Sequence, residues 1–336
     1  MSSGRVRTRR ATLGLALAVA AATALSGCSA LGSDQSNASS NGGGGLEKAK
    51  IKVAILPTVD TGPLWLAQDG GYFKAEGLDV EAVMAASGQA ALTKVVSGEV
   101  DIAISSYFPF FLAKSTGSAD IQLVADATSV SPKSVAIVAA PNSPVKTVND
   151  LQGKRIAMTA RNTASDLLAK SLMKDHGVEI DKVNWVQSAF PNTTAALGSG
   201  QVDAALLPEP FLSQAAKTIG AIPVIDVNTG ATQDFPLSGY GAITKWVQAN
   251  PKTLAAFQRA LQKATSDTNS DRSKIEPLLV KYAKIDGDTA KLLGLPSFSA
   301  KLDARRLQRV PDLMLQMGAI TSKVDAAAMI APQATN

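Results

Sequence analysis

The phrase L-T-K-V-V-S-G-E-V-D-I-A-I, residues 92–104, sets the pattern for the rest of the chain. Leu92, Val95 and Val96 recur at i, i+3 and i+4, so they share one face of a helix. Gly98 supplies the left-handed residue that stops it, and residues 102–104 form a short buried strand. The phrase returns at residues 194–206, where Gly200 and Asp203 lie 102 positions after Gly98 and Asp101. Gly77-Leu78-Asp79-Val80 is likewise echoed by Gly177-Val178-Glu179-Ile180 at an offset of 100. A helix, a glycine stop and a strand recurring in this way predict two α/β lobes of about a hundred residues each.

Apolar runs and alternation predict strands at 51–56, 78–84, 102–104, 122–125 and 135–139, then at 155–158, 184–187, 204–207, 223–227 and 240–246. Pro63 fits the first position of a helix that runs out at Gly70-Gly71, and Ser87-Gly88 opens the next. Pro141 and Pro144 mark an extended crossing into the second lobe, and residues 228–239 the return. After that the pattern is helical, with Asn250 as N-cap, Pro251 as first residue and Leu254, Phe257 and Leu261 as the buried stripe. Leu307, Val310, Met314 and Met317 form a second stripe with a kink expected at Pro311. The fold class is therefore α/β, with a mostly parallel sheet flanked by helices in each lobe and a helical C-terminal region. Residues 50–137 and 240–336 make lobe I and residues 138–239 lobe II.

Composition matters first at the amino terminus. Arg5, Arg7, Arg9 and Arg10 precede an apolar run over 11–25, which reads as a signal peptide of residues 1–27. Setting those four aside leaves 29 basic against 28 acidic side chains, so the net charge of +5 does not describe a basic folded body. A nucleic-acid binder would keep its basic stripe there. Leu25-Ser26-Gly27-Cys28 resembles the lipobox of bacterial lipoproteins, which implies lipidation of Cys28, the one cysteine of the chain. Thr8-Arg9-Arg10 is weakly similar to a twin-arginine signal, so the export route stays open. Residues 28–49 are Ser-, Asn- and Gly-rich and are expected to be a flexible tether.

Residues 57–64, P-T-V-D-T-G-P-L, and 71–80, G-Y-F-K-A-E-G-L-D-V, resemble the solute-binding proteins of nitrate, sulfonate and taurine ABC transporters. Relatives of that family bind pyrimidine precursors of thiamine. The repeated G-x-x-D, residues 150–156 as D-L-Q-G-K-R-I, and Glu209-Pro210-Phe211 follow in the family's order over roughly 50–320. The resemblance implies a two-lobed type II periplasmic-binding-protein fold. It also implies a small-molecule ligand clamped between the lobes and delivered to a permease with its ATPase. The protein would be a monomer on the extracytoplasmic face of the membrane, held by the lipid. Enzymes exist among proteins of this fold, including a pyrimidine synthase and a lyase, and a surface sensor or adhesin is another class of function.

Ligands of such sheets lie beyond the carboxyl ends of the strands, against helix amino termini. That rule nominates Thr58, Asp60, Ser87, Gly88, Gln89, Ser106, Tyr107, Arg161, Asn162, Thr163, Pro191 and Glu209. Arg161 beside a helix start suits an anionic group; Asp60 and Glu209, with Asp234 behind them, suit an amine or N–H donor. Trp65, Tyr107, Phe108, Phe190 and Tyr240 are candidate walls, although single aromatics usually fill cores. His176 reads as a cationic helix end. No cofactor motif, metal-binding H-E-x-x-H or phosphate loop is present in the sequence, so neither a cofactor nor a metal is expected.

Overall fold

A computed structural model describes residues 45–334. The signal segment, Cys28 and the tether up to residue 44 lie outside the described residues. Residues 45–49, expected to continue the tether, are instead pinned to the fold. Leu46 packs against the core, the Glu47 carboxylate accepts Thr253 N–H at 2.9 Å, and Lys48 Nζ meets Asp101 at 2.6 Å.

The strands are β1 (Lys50–Ile55), β2 (Asp79–Met84), β3 (Ile102–Ser106), β4 (Ile121–Ser129), β5 (Val135–Ala139) and β6 (Arg155–Met158). They continue as β7 (Asn184–Gln187), β8 (Ala204–Pro208), β9 (Ile222–Asp226), β10 (Pro236–Ile243) and β11 (Ser297–Phe298). Helices α1 (Gly62–Asp69), α2 (Tyr72–Ala75), α3 (Gly88–Val96) and α4 (Tyr107–Thr116) belong to the first half. Then come α5 (Ala164–Asp175), α6 (Phe190–Gly198), α7 (Phe211–Ile219), α8 (Thr244–Ala249) and α9 (Pro251–Ser270). The last are α10 (Glu276–Ala283), α11 (Gly287–Leu292) and α12 (Ala304–Gln316).

Two sheets result, one ordered β11-β4-β10-β3-β1-β2 and the other β7-β6-β8-β5-β9. Each is mixed rather than mostly parallel. β1 runs parallel to β2 and β3, and β6 to β7 and β8, but β5 and β10 are antiparallel to every neighbour. The chain changes sheets through short links at 130–134 and 227–235 with no crossover helix between them, so the arriving strand runs the other way. Pro141 and Pro144 consequently lie beyond β5, already within the second sheet's half. The expected boundaries at 138 and 239 fall inside β5 and β10.

Helices cover both faces. Leu64, Phe73, Phe257, Leu261 and Leu279 bury one side of the first sheet, while Leu92, Phe110, Phe111 and Met314 bury the other. In the second sheet, Leu168 and Leu172 of α5 cover one face, and Leu197 and Ala215 of α6 and α7 cover the other.

The repeat seen in the sequence is a repeat of structure. Gly98 and Gly200 both adopt positive φ, 74° and 69°, where a side chain would be strained. Asp101 N–H donates to Lys52 O at 2.9 Å and its carboxylate accepts Lys52 N–H at 2.9 Å. Asp203 does the same to Arg155, both at 2.8 Å, and adds a fork from Nε (3.1 Å) and an Nη (2.6 Å) of Arg155. Each aspartate thus fixes the entry of its strand beside the neighbouring one.

Asn250 makes no side-chain cap for α9; Glu47 takes that role, accepting from Thr253 and Lys252 backbone N–H groups. Pro311 sits inside α12, which Asp303 caps by accepting from Arg305 and Arg306 backbone N–H. Among the described residues no helix is long and apolar enough to cross a membrane.

Candidate functional site

The carboxyl ends of β1, β3, β6 and β8 converge with the links between sheets around an open pocket, whose about 500 Å³ of non-atom space includes open solvent. From the first sheet come Leu56, Thr58, Asp60, Gly88 and Ser106. From the second come Thr159, Thr163, Ala164, Ser165, Phe190, Leu206 and Pro208, with Val135, Leu237 and Ser238 supplied by β5 and β10. Two backbone donors join the halves across its rim. Val59 N–H reaches Glu209 O at 3.3 Å, and Ala164 N–H reaches Ser106 Oγ at 3.4 Å.

Asp60 is the charged group of this wall. It is 9% exposed; Ser238 Oγ donates to its Oδ2 at 2.6 Å and Thr128 Oγ1 at 3.3 Å. Burial pushes its carboxyl above the ordinary aspartate value, and the Ser238 and Thr128 hydroxyls hold it part of the way back. Opposite lies a hydroxyl cluster at the start of α5. Thr159 N–H and Oγ1 both bond Ser165 Oγ at 2.9 Å, and Thr163 Oγ1 donates to Ala160 O at 2.8 Å. Gly88 opens α3 so close to Ser105 that a Cβ there would overlap the Ser105 hydroxyl, which explains glycine at that point of the wall.

Of the residues nominated from sequence, Thr58, Asp60, Gly88, Ser106 and Thr163 come together on this cavity. The others do not line it. Ser87 is consumed as the N-cap of α3, accepting Ala90 N–H at 3.1 Å, and Gln89 is exposed. Tyr107 is fully buried behind the wall, donating to Asp126 at 2.5 Å; that bond, with Arg306 nearby, partly offsets the burial that pushes Asp126 up to about 6. Arg161 is exposed and makes no hydrogen bond or ion pair among the described residues. Asn162, at φ 58°, donates its N–H to the buried Asp166 at 2.8 Å, and Pro191 is exposed at the start of α6.

Glu209 turns its carboxylate away from the cavity. It accepts from Ser213 N–H (3.0 Å) and Oγ–H (2.7 Å), capping α7, and from Gly294 N–H at 3.4 Å. Burial raises its pKa and the Ser213 bonds oppose the rise. Asp234 is exposed, with its carbonyl held by Arg309 at 3.0 Å. Among the aromatics only Phe190 reaches the cavity, stacked on Phe211 at 5.5 Å. Trp65 stacks on Tyr282, Phe108 on Phe235, and Tyr240 meets Phe257 edge-on. His176 ends α5, its Nδ1–H donating to Leu172 O at 2.8 Å.

Sequence reasoning missed Ser165 and Ser238. Ser165 is the second residue of α5, beyond the strand end that the rule covers; Ser238 lies inside a return strand whose start the pattern did not show. Among the described residues no group of three His, Cys, Asp or Glu side chains is placed to hold a metal.

A family model described as NMT1/THI5 like matches residues 58–273. A protein of Escherichia coli (strain K12) named for binding aliphatic sulfonates is 28% identical over 200 residues, 60% of this chain and 58% of its own length. The match thus spans little more than half of that relative. A Haemophilus influenzae protein named for thiamine biosynthesis is 24% identical over 299 residues, covering 82% of this chain and 88% of the other. Among solved structures, the alkanesulfonate-binding protein of Xanthomonas axonopodis pv. citri bound to MOPS superposes with a TM-score of 0.74 at 19% identity. It covers 86% of this chain and 100% of the other, a likeness of fold.

Proposed function

The chain belongs to the NMT1/THI5 like family, and from that membership we propose that it is the solute-binding component of an ABC importer. It captures a small molecule in the cavity between its two lobes and hands it to a permease driven by an ATPase. We assign β1–β4, β10 and β11 to one lobe and β5–β9 to the other, with the links at 130–134 and 227–235 as the hinge. The protein works outside the cytoplasm, anchored through a lipid on Cys28, as a monomer.

The observation that carries this reading is the cavity itself. It lies beyond the strand ends of both sheets, it is walled by apolar side chains with a few convergent polar groups, and backbone contacts close it from either lobe. The names of the sulfonate-binding relatives support binding rather than catalysis. The relative named for thiamine biosynthesis, which the chain matches over most of its length, favours a pyrimidine precursor as the second reading of the ligand.

The test is a thermal-shift screen of the full chain over sulfonates, nitrate, amino acids, pyrimidines and small amines, run beside Ala164→Trp. A ligand at a hundredfold over its Kd adds about 2.7 kcal/mol to the parent. The indole of the variant fills the cavity and removes the shift. A shift that survives in Ala164→Trp would place the ligand elsewhere.

A further inference from the structure

Resting on the reading of this cavity as the solute site, we propose that the ligand is a compact organic cation, an ammonium or amidinium on an apolar body. Asp60 is its counter-ion, and oxyanions such as sulfonates and nitrate are disfavoured.

Three observations lead there. Asp60 is nine-tenths buried on the cavity wall, and every group that stabilises its charge is neutral: the Ser238 hydroxyl first, then its own backbone, then the Thr128 and Thr58 hydroxyls. Among the described residues no Lys or Arg lines the cavity or pairs with Asp60. A carboxylate removed from water without a cation is unfavourable unless a positive group arrives with the ligand. Burial already raises its pKa, and a cation beside it would reverse that rise.

The second observation concerns the helix end that would otherwise attract an anion. The first turn of α5 carries Asp166, fully buried, whose carboxylate accepts Asn162 N–H at 2.8 Å and pairs with Lys170 at 2.8 Å. The positive end of the helix is thus answered from within the chain. Arg161, the one cation of that loop, stays exposed outside the cavity lining.

The third is the remainder of the wall. Phe190, Leu206, Leu237 and Val135 present apolar surface to the body of the ligand. The hydroxyls of Thr163 and Ser238 already donate to Ala160 O and to Asp60. Ser106, whose Oγ accepts Ala164 N–H, could donate to an oxyanion, but the anion would sit beside the buried Asp60 carboxylate with no cation on the wall to offset it.

Calorimetry on the full chain with three probes sharing one ring tests the inference: benzylamine, benzyl alcohol and benzenesulfonate. The parent should bind benzylamine at least tenfold more tightly than benzenesulfonate. Asp60→Asn should bring benzylamine down to about the level of benzyl alcohol, a loss of tenfold or more. The ranking in the parent needs no variant and stands whatever the fold of Asp60→Asn. Benzenesulfonate binding as well as benzylamine, no benzylamine heat at millimolar concentration, or unchanged affinity in Asp60→Asn each overturns the cation assignment. If the winning probe is the anion yet Ala164→Trp still abolishes its binding, the solute-site reading survives alone. Benzylamine binding that persists in Ala164→Trp defeats both.

Discussion

Removing the Asp203 side chain tests the strand clamp that the repeat encodes. Its carboxylate takes one backbone bond from Arg155 and a fork from the Arg155 guanidinium, and the side chain is 13% exposed. A hydrogen bond to a charged group contributes about 1.5–3 kcal/mol net. The Arg155 head is nearly half exposed, so solvent screens the fork and it adds little. Asp203→Ala should therefore cost about 2 kcal/mol at pH 7, or about 4 °C in Tm for a chain of this size. Arg155 holds the Asp203 carboxyl below its ordinary value. A carboxyl depressed in the folded state stabilises above its unfolded pKa and loses that contribution as pH falls through the folded one. In denaturant titrations followed by circular dichroism, the gap between parent and variant should be constant from pH 6 to 8 and shrink in acid below roughly pH 4. A variant as stable as the parent at pH 7, or a gap that persists unchanged into strong acid, would rule out the carboxylate as the clamp on β6.

Three further outcomes are expected. Gly239→Ala places a Cβ 2.5 Å from the Tyr107 ring, so urea unfolding should show a loss of about 1–3 kcal/mol, and an unchanged midpoint would contradict the packing. Cys28→Ala should move the protein from the membrane fraction to the soluble one; continued membrane association would remove the lipid anchor from the proposal. Solution scattering should give a smaller radius of gyration with saturating ligand than without it, and no change would replace the clamp with a preformed pocket.

Local patterns made much of the fold legible. The apolar run V-A-I-V-A of β5 and the segments of β6 and β7 matched to the residue, because each is a short buried or half-buried strand between clear breakers. The paired glycines and aspartates were readable because the same local job recurs in both halves. β10 was read four residues late: Gly239 and Gly241 break its pattern, and they are there because the Tyr107 and Phe110 rings lie against them. The Glu47 cap on α9 acts across 206 positions, beyond any local rule.

The site divides in the same way. A strand-end rule brought Thr58, Asp60, Gly88, Ser106 and Thr163 to the cavity wall because strand ends fix the backbone there. It could not tell which way a side chain turns. Glu209 folds back on Ser213, Ser87 caps its own helix, and Arg161 points to solvent. Those choices depend on competing donors that sequence distance hides.

The most direct test is a crystal structure of the protein with the strongest molecule from the screen bound. Ligand density is expected between Ser106 and Thr163, with one of the ligand's donors within hydrogen-bond distance of Asp60. Density on the outer surface, with the space between the lobes unoccupied by the ligand, would contradict this placement.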